Sequence, residues 1–120
     1  MREVLIVEDD PRILQLTVVN LNIRGYNTLV ADTVQAGIKL IKTHRLHLVI
    51  LDLKLLDGSG WDILRAIDAD PQTIKPPVLI MTASSLDDDP EYPYSHLIGK
   101  LSKPFSLAEL LGAVTAPSAT

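Results

Sequence analysis

The 120 residues contain no cysteine. That excludes a disulfide scaffold, Cys-ligated zinc, iron–sulfur clusters and thiol catalysis. Long apolar runs are missing too: the longest spans four residues, against the ~20 a membrane-spanning helix needs. The N-terminus, Met1-Arg2-Glu3, leads straight into a short apolar run and a cluster of acids, which is not a signal peptide. The expectation is a soluble cytoplasmic protein with no membrane contact. Basic clusters are also lacking. Eleven Lys and Arg are scattered among fifteen Asp and Glu, giving a formal charge of −4 and a pI near 5.2. Nucleic-acid binding without sequence preference relies on clustered Lys and Arg, so no direct DNA or RNA binding is expected. A basic partner or a bound cation fits the balance better. There is no internal repeat and no domain boundary. With 47% apolar and 22% charged residues, the chain reads as one globular domain over 1–120 that buries its own core. Its small, polar end, 116–120, reads as a linker-like tail.

What is present is alternation. Val4-Leu5-Ile6-Val7, Thr28-Leu29-Val30-Ala31, Leu48-Val49-Ile50-Leu51 and Val78-Leu79-Ile80-Met81 are short and mostly apolar. Such runs suit strands of a parallel sheet covered on both faces. A fifth strand is expected near Leu97 to Leu101, interrupted by Gly99 and Lys100. Helical periodicity lies between the runs. One helix starts at Pro11 after the cap candidates Asp9 and Asp10, carries Leu14, Val18 and Leu21 inward, and stops at Arg24-Gly25. The next follows Thr33, with Val34, Ile38 and Ile41 on one face. A third runs from about Gly60 to Ala69, with Ile63, Leu64 and Ile67 inward. The last opens on the capping box Ser106-Leu107-Ala108-Glu109. Strand–helix alternation with right-handed crossovers gives an α/β doubly wound sheet with helices on both faces.

Such sheets bind ligands outside the carboxyl ends of their strands. Glu8, Asp9 and Asp10 follow the first strand, Asp52 the third, Thr82 the fourth, and Lys103-Pro104 the fifth. Several carboxylates, a hydroxyl and an ammonium thus converge. Two like charges ~5 Å apart cost roughly 3 kcal/mol at an effective dielectric near 20, so a proton or a cation must relieve the acids. A hard divalent ion with oxygen ligands suits them, with Mg²⁺ the natural choice and Mn²⁺ a substitute. Asp10 is read as a helix cap and Trp61 as a packing residue. His44, His47 and His96 are read as surface or helix-end residues, and Ser59 as serving the turn into the third helix.

Four segments carry a resemblance: Val4 to Pro11, Leu51 to Trp61, Met81-Thr82-Ala83, and Ser102-Lys103-Pro104-Phe105. In order and spacing they resemble the receiver domain of two-component response regulators (CheY-like). Asp52 lies 43 residues after Asp9, and Thr82 lies 30 after Asp52. The resemblance implies a five-stranded parallel sheet of order 2-1-3-4-5. It implies Asp52 as phosphoacceptor, Glu8 and Asp9 as an acid pocket, and Mg²⁺ held by Asp9, Asp52 and the Lys54 backbone carbonyl. Thr82 and Lys103 would bind the phosphoryl group and serve as the switch, with Pro104 a cis-peptide candidate. The implied function is that of a phosphoacceptor, not an enzyme beyond self-catalysed phosphotransfer and slow autodephosphorylation. Its partners would be a sensor histidine kinase or phosphotransfer protein, and a downstream protein or output domain. The expected oligomeric state is a monomer or weak homodimer.

Three features depart from the family. Residues 84–100 hold Pro90 and Pro93, and an interior proline costs a helix ~3 kcal/mol. The fourth helix is therefore expected to be shortened or irregular. The interval from Thr82 to Lys103 is about one residue short. Where the family tends to carry an aromatic three residues before the lysine, this chain has Lys100. Two other readings compete. A flavodoxin-like cofactor binder would want a glycine- and hydroxyl-rich phosphate loop after the first strand, where Glu8-Asp9-Asp10 stands instead. A pseudo-receiver, acting as a phosphorylation-independent interaction module, is the alternative that the altered segment 84–100 keeps open.

Overall fold

The computed structural model describes residues 2–82, 92–103 and 106–115. Their elements alternate as the apolar runs require. These are β1 (Glu3–Val7), α1 (Pro11–Ile23), β2 (Asn27–Ala31), α2 (Val34–Thr43), β3 (Leu48–Asp52), the short pair β4 (Lys54–Leu55) and β5 (Gly58–Ser59), α3 (Gly60–Ala69), β6 (Val78–Thr82), β7 (Leu97–Ser102) and α4 (Leu107–Thr115). The five long strands form one parallel sheet of order β2-β1-β3-β6-β7, and β4 and β5 form a separate antiparallel hairpin. Leaving the hairpin aside, this is the expected 2-1-3-4-5 order. The hairpin itself was not expected, although Asp57-Gly58 is a recognised turn dipeptide.

The core has two halves because strand side chains alternate between faces. Leu5, Val7, Val49, Leu51, Val78 and Ile80 pack with Ile63, Leu64 and Ile67 of α3 and Val34 and Ile41 of α2. Val4, Ile6, Ile50, Leu79 and Met81 pack with Leu21 of α1 and Leu110 and Val114 of α4. The residues of β3 and β6 are buried throughout, on both faces. The strand β2 departs from this expectation. It lies at the sheet edge, and Val30 is 48% exposed. An edge strand has a neighbour on one side only, so its run of apolar residues was a poor guide to full burial.

Local chemistry fixes the helix ends. Asp10 caps α1 by accepting the Arg12 N–H at 2.9 Å, with Pro11 in the first turn. Thr33 caps α2, and Ser59 and Asp62 form a reciprocal capping box at α3. Ser106 and Glu109 exchange the same pair of bonds at the start of α4. Thr17 on α1 is a buried polar residue within the apolar stripe, satisfied by donating to the Ile13 carbonyl at 2.8 Å.

The strand β7 is less regular. Val78 pairs with Leu97 but Leu79 with Gly99, so Ile98 is the extra residue of a bulge. This is how the chain accommodates Gly99-Lys100. After the bulge Lys100 lies opposite Ile80, and its Nζ stands 6.0 Å from the centroid of the Trp61 ring. Trp61 is buried, as a packing residue should be.

Of the segment expected to be irregular, 92–96 is described and forms no helix; 83–91 lies outside the described residues, as do Pro104 and 116–120. The described part is tied down by two tyrosines. The buried Tyr94 donates its hydroxyl to the Pro76 carbonyl at 2.7 Å. Tyr92 donates to Asp68 at 2.6 Å, under the Arg65 guanidinium, which sits 5.5 Å from its ring. Lys75 meets the other Asp68 oxygen at 2.8 Å. These partners, Lys75 first and Tyr92 second, hold the Asp68 carboxyl below its ordinary value of 3.8. A carboxyl lowered by folding contributes stability above its unfolded value and loses it as pH falls through the folded one. Asp68→Asn is therefore expected to be less stable than wild type at neutral pH, with the difference shrinking once the pH drops below 3.8. Urea unfolding across that range checks this, and a difference independent of pH would contradict it.

Candidate functional site

The parallel sheet points all its carboxyl ends one way, and the expected polar groups collect there. Glu8, Asp9, Asp10, Ile13, Asp52, Lys54, Thr82 and Lys103 line one cavity of about 300 Å³. That is room for roughly ten waters. The residues come from the end of β1, the first turn of α1, the end of β3, the start of the hairpin, the end of β6 and the turn after β7. All the expected site residues among those described face the same hollow. Ile13 was not anticipated, though the first turn after three acids must border the same space.

At the centre is an ionic bridge. The Lys103 ammonium donates to Glu8 Oε1 at 2.5 Å and to Asp52 Oδ2 at 3.0 Å. Glu8 is fully buried and Asp52 nearly so, while the Lys103 side chain keeps 11% of its surface. The second Glu8 oxygen accepts the Asp10 N–H at 3.1 Å, and the second Asp52 oxygen the Lys54 N–H at 3.2 Å. Burial pushes Glu8 up to about 7, against the pull of Lys103 and with the Asp52 carboxylate adding to the rise. Burial also works against the Lys103 ammonium, but its bonds to Glu8 and Asp52 outweigh this and raise its pKa. Backbone contacts fix the frame. Lys103 N–H donates to the Thr82 carbonyl at 2.8 Å, joining the last strand to the buried Thr82.

The donor set fits a divalent cation. One oxygen from each of Glu8, Asp9 and Asp52 lies within 4.8 Å of the others. Three carboxylates against one ammonium leave two negative charges, which one doubly charged hard ion would neutralise. Proton uptake by Glu8 is the other way to relieve the crowd, and its pKa is raised first by burial and then by the neighbouring Asp52.

The response regulator receiver domain family matches residues 4–115. The chain belongs to that family. This receiver domain is 31% identical over 117 residues to the transcriptional regulatory protein KdpE of Mycobacterium tuberculosis, covering 97% of this chain and 50% of that protein. It is also 31% identical over 114 residues to the cell cycle transcriptional regulator CtrA of Caulobacter vibrioides, covering 94% and 48%. The chain thus spans about half the length of the curated relatives it matches. Among solved structures it resembles the receiver domain of a sensor histidine kinase from Pseudomonas aeruginosa, solved with magnesium in the active-site cleft. The TM-score is 0.81 at 25% identity, covering 94% of this chain and 93% of that one. The response regulator TrrA of Thermotoga maritima, in complex with Mg²⁺ and BeF, gives 0.78 at 26% identity, covering 95% and 96%. No helix among the described residues is long and apolar enough to cross a membrane.

A glycine lets β3 and the residue after it lie close against the start of α3. A Cβ on Gly60 would stand 2.5 Å from the Asp52 carbonyl oxygen and 3.2 Å from the Leu53 Cα. Those are backbone atoms with little room to yield, and the Gly60 N–H donates to the Leu53 carbonyl at 2.9 Å. Gly60→Ala is expected to destabilise the domain by about 1–3 kcal/mol. Equilibrium urea denaturation checks this; an unchanged midpoint and slope would contradict it.

Proposed function

We propose that this chain is a phosphoaccepting receiver domain in which Asp52 takes a phosphoryl group from a phosphohistidine of a sensor histidine kinase or phosphotransfer protein. One observation carries the reading. Glu8, Asp9, Asp52, Thr82 and Lys103, drawn from four separate places in the sequence, border one small polar cavity. In the transfer an Asp52 carboxylate oxygen forms a bond to phosphorus as the phosphorus–nitrogen bond to the donor imidazole breaks. The imidazole leaves as the neutral base after taking up a proton. Such a reaction asks for alignment and charge neutralisation rather than covalent help. Mg²⁺, with Mn²⁺ as substitute, would be held by Asp9, Asp52 and the Lys54 backbone carbonyl. When bound it supplies neutralisation of the acids and of the incoming phosphoryl oxygens. Lys103, hydrogen-bonded to Asp52, would pair with a phosphoryl oxygen once the carboxylate is esterified. The Thr82 hydroxyl would hydrogen-bond another. The domain is a phosphoacceptor, and any catalysis is confined to its own phosphorylation and slow loss of the phosphate.

Phosphorylation adds a group with up to two negative charges and three acceptor oxygens. Drawing Thr82 and Lys103 toward it would shift a two-state surface that a downstream protein or output domain reads. The site sits in a single receiver domain spanning 1–120, with 116–120 as a linker-like tail, cytoplasmic, monomeric or weakly dimeric. A pseudo-receiver would be expected to have lost the acceptor, the acid pair or the lysine, and this chain keeps all of them.

Incubation of wild type and Asp52→Ala with acetyl phosphate or phosphoramidate, with Mg²⁺ or with EDTA, tests the reading by intact mass. The expected result is a phosphate-sized gain in wild type with Mg²⁺ and none in the variant or in EDTA. Equal gains in both proteins, or none under any condition, would reject the assignment.

A further inference from the structure

The hairpin β4–β5 follows the acceptor aspartate directly, and its two ends are held by different helices. At its base Lys54 pairs with Ser59, the Lys54 N–H donates to Asp52, and Gly60 N–H donates to the Leu53 carbonyl. Ser59 and Asp62 lock that base to the first turn of α3. The tip is formed by Leu56 and Asp57. Leu56 is 82% exposed. Asp57 reaches across to another helix: its carboxylate accepts the Val34 N–H at 2.7 Å and the Gln35 N–H at 3.3 Å. These are open amides of the first turn of α2, where a negative charge is also favoured by the helix dipole. The contact is close in the apolar sense as well. A Cβ on Gly58 would come within 3.3 Å of Val34 Cγ2. The Val34 bond, as the main cause, holds the Asp57 carboxyl below its ordinary range.

We infer that Asp57 is a positioning residue: by capping α2 from the hairpin tip it holds β4–β5, and with it the Lys54 backbone carbonyl, in the orientation that divalent-cation binding requires. The inference rests on the proposed phosphoacceptor reading, because it concerns the cation of that same site. Lys54 lies three residues from the cap and two from Asp52, on a hairpin only two residue pairs long. A ribbon this short has no stability of its own, so with its base fixed to α3 the orientation of the strand that carries the Lys54 carbonyl depends on where its tip is held. Groups that orient metal ligands from outside the coordination shell commonly shift affinity by about tenfold or more when removed.

Thr33 provides the control. Its hydroxyl caps the same helix end by accepting the Ala36 N–H at 3.1 Å but touches no part of the hairpin's polar anchoring. Calorimetric Mg²⁺ titration of wild type, Asp57→Ala, Asp57→Asn and Thr33→Ala separates helix capping from positioning, with amide exchange at Val34 and Gln35 reporting the cap. Asp57→Ala is expected to raise the Mg²⁺ dissociation constant about tenfold. Asp57→Asn, which keeps one acceptor, should fall between it and wild type. Thr33→Ala should lower thermal stability yet bind Mg²⁺ as wild type does. Faster exchange at Val34 and Gln35 in Asp57→Ala with unchanged Mg²⁺ affinity would overturn the inference and leave the phosphoacceptor reading standing. Equal weakening in Asp57→Ala and Thr33→Ala would overturn it too, by tracing the effect to the helix. Wild type that neither binds Mg²⁺ nor takes phosphate would reject the underlying reading and the inference together.

Discussion

The Lys103 ammonium between Glu8 and Asp52 is the constraint on which this end of the molecule depends. Two nearly buried carboxylates cannot both stay charged side by side without a counter-charge, and the ammonium bonded to both comes from the far end of the chain. A buried ion pair of this kind is a poor source of stability, because desolvation consumes most of the Coulomb gain. Its cost is met by the sheet around it, where Val4 to Val7, Val49 to Leu51, Val78, Ile80 and Met81 are fully withdrawn from water. Each such side chain contributes about 1.5–3 kcal/mol. The strands thus hold in place a charge arrangement that would not assemble for its own sake. Even with Lys103 in position the acids outnumber the ammonium, and that imbalance suits the hollow to a cation.

The strands do not hold their charges equally. The central strands β1, β3 and β6 are continuous and buried, so Glu8, Asp52 and Thr82 inherit fixed positions from backbone registers such as Ile6 opposite Ile50 and Asp52 opposite Met81. The lysine sits at the end of an edge strand with a bulge, joined to its neighbour through the Thr82 carbonyl. Glu8 and Asp52 therefore sit at the ends of central, regularly paired strands, and Lys103 follows an edge strand with a bulge.

Much of this was legible in the sequence because it depends on periodicity and order. Uninterrupted apolar runs marked the buried strands, helix periodicity marked the stripes on α2 and α3, and the residue after each strand marked the site. The bounds expected for α3 from its inward-facing Ile63, Leu64 and Ile67, about Gly60 to Ala69, are the bounds it has. The same logic failed where an element's environment depends on its neighbours. The apolar run of β2 carries no sign that nothing pairs with its outer side. The hairpin after Asp52 is too short to show a strand period, and only Asp57-Gly58 marks it. That Asp57 reaches α2 is a contact between residues 23 apart with no local signature. Lys100, read as an interruption of β7, is placed against Trp61 by a bulge that sequence alone does not reveal.

That last placement bears on how a change at Asp52 could travel. An aromatic ring at the position of Lys100 can swing between solvent and an apolar slot at modest cost, because it carries no charge. An ammonium cannot enter such a slot without losing its hydration, and here it lies over the face of a buried indole. The pairing of β6 with β7 puts Lys100 beside Ile80 and Ser102 beside Thr82, so the backbone of the edge strand links Lys103 to Lys100. On the side of the sheet that Lys100 faces, α3 carries both Trp61 and the Asp68 to which Tyr92 is bonded. Among the described residues, polar and ring contacts thus cover that side: Lys100 over Trp61, and Tyr92 bonded to Asp68 beneath Arg65. A signal leaving the site by this route would pass through the edge strand and these contacts.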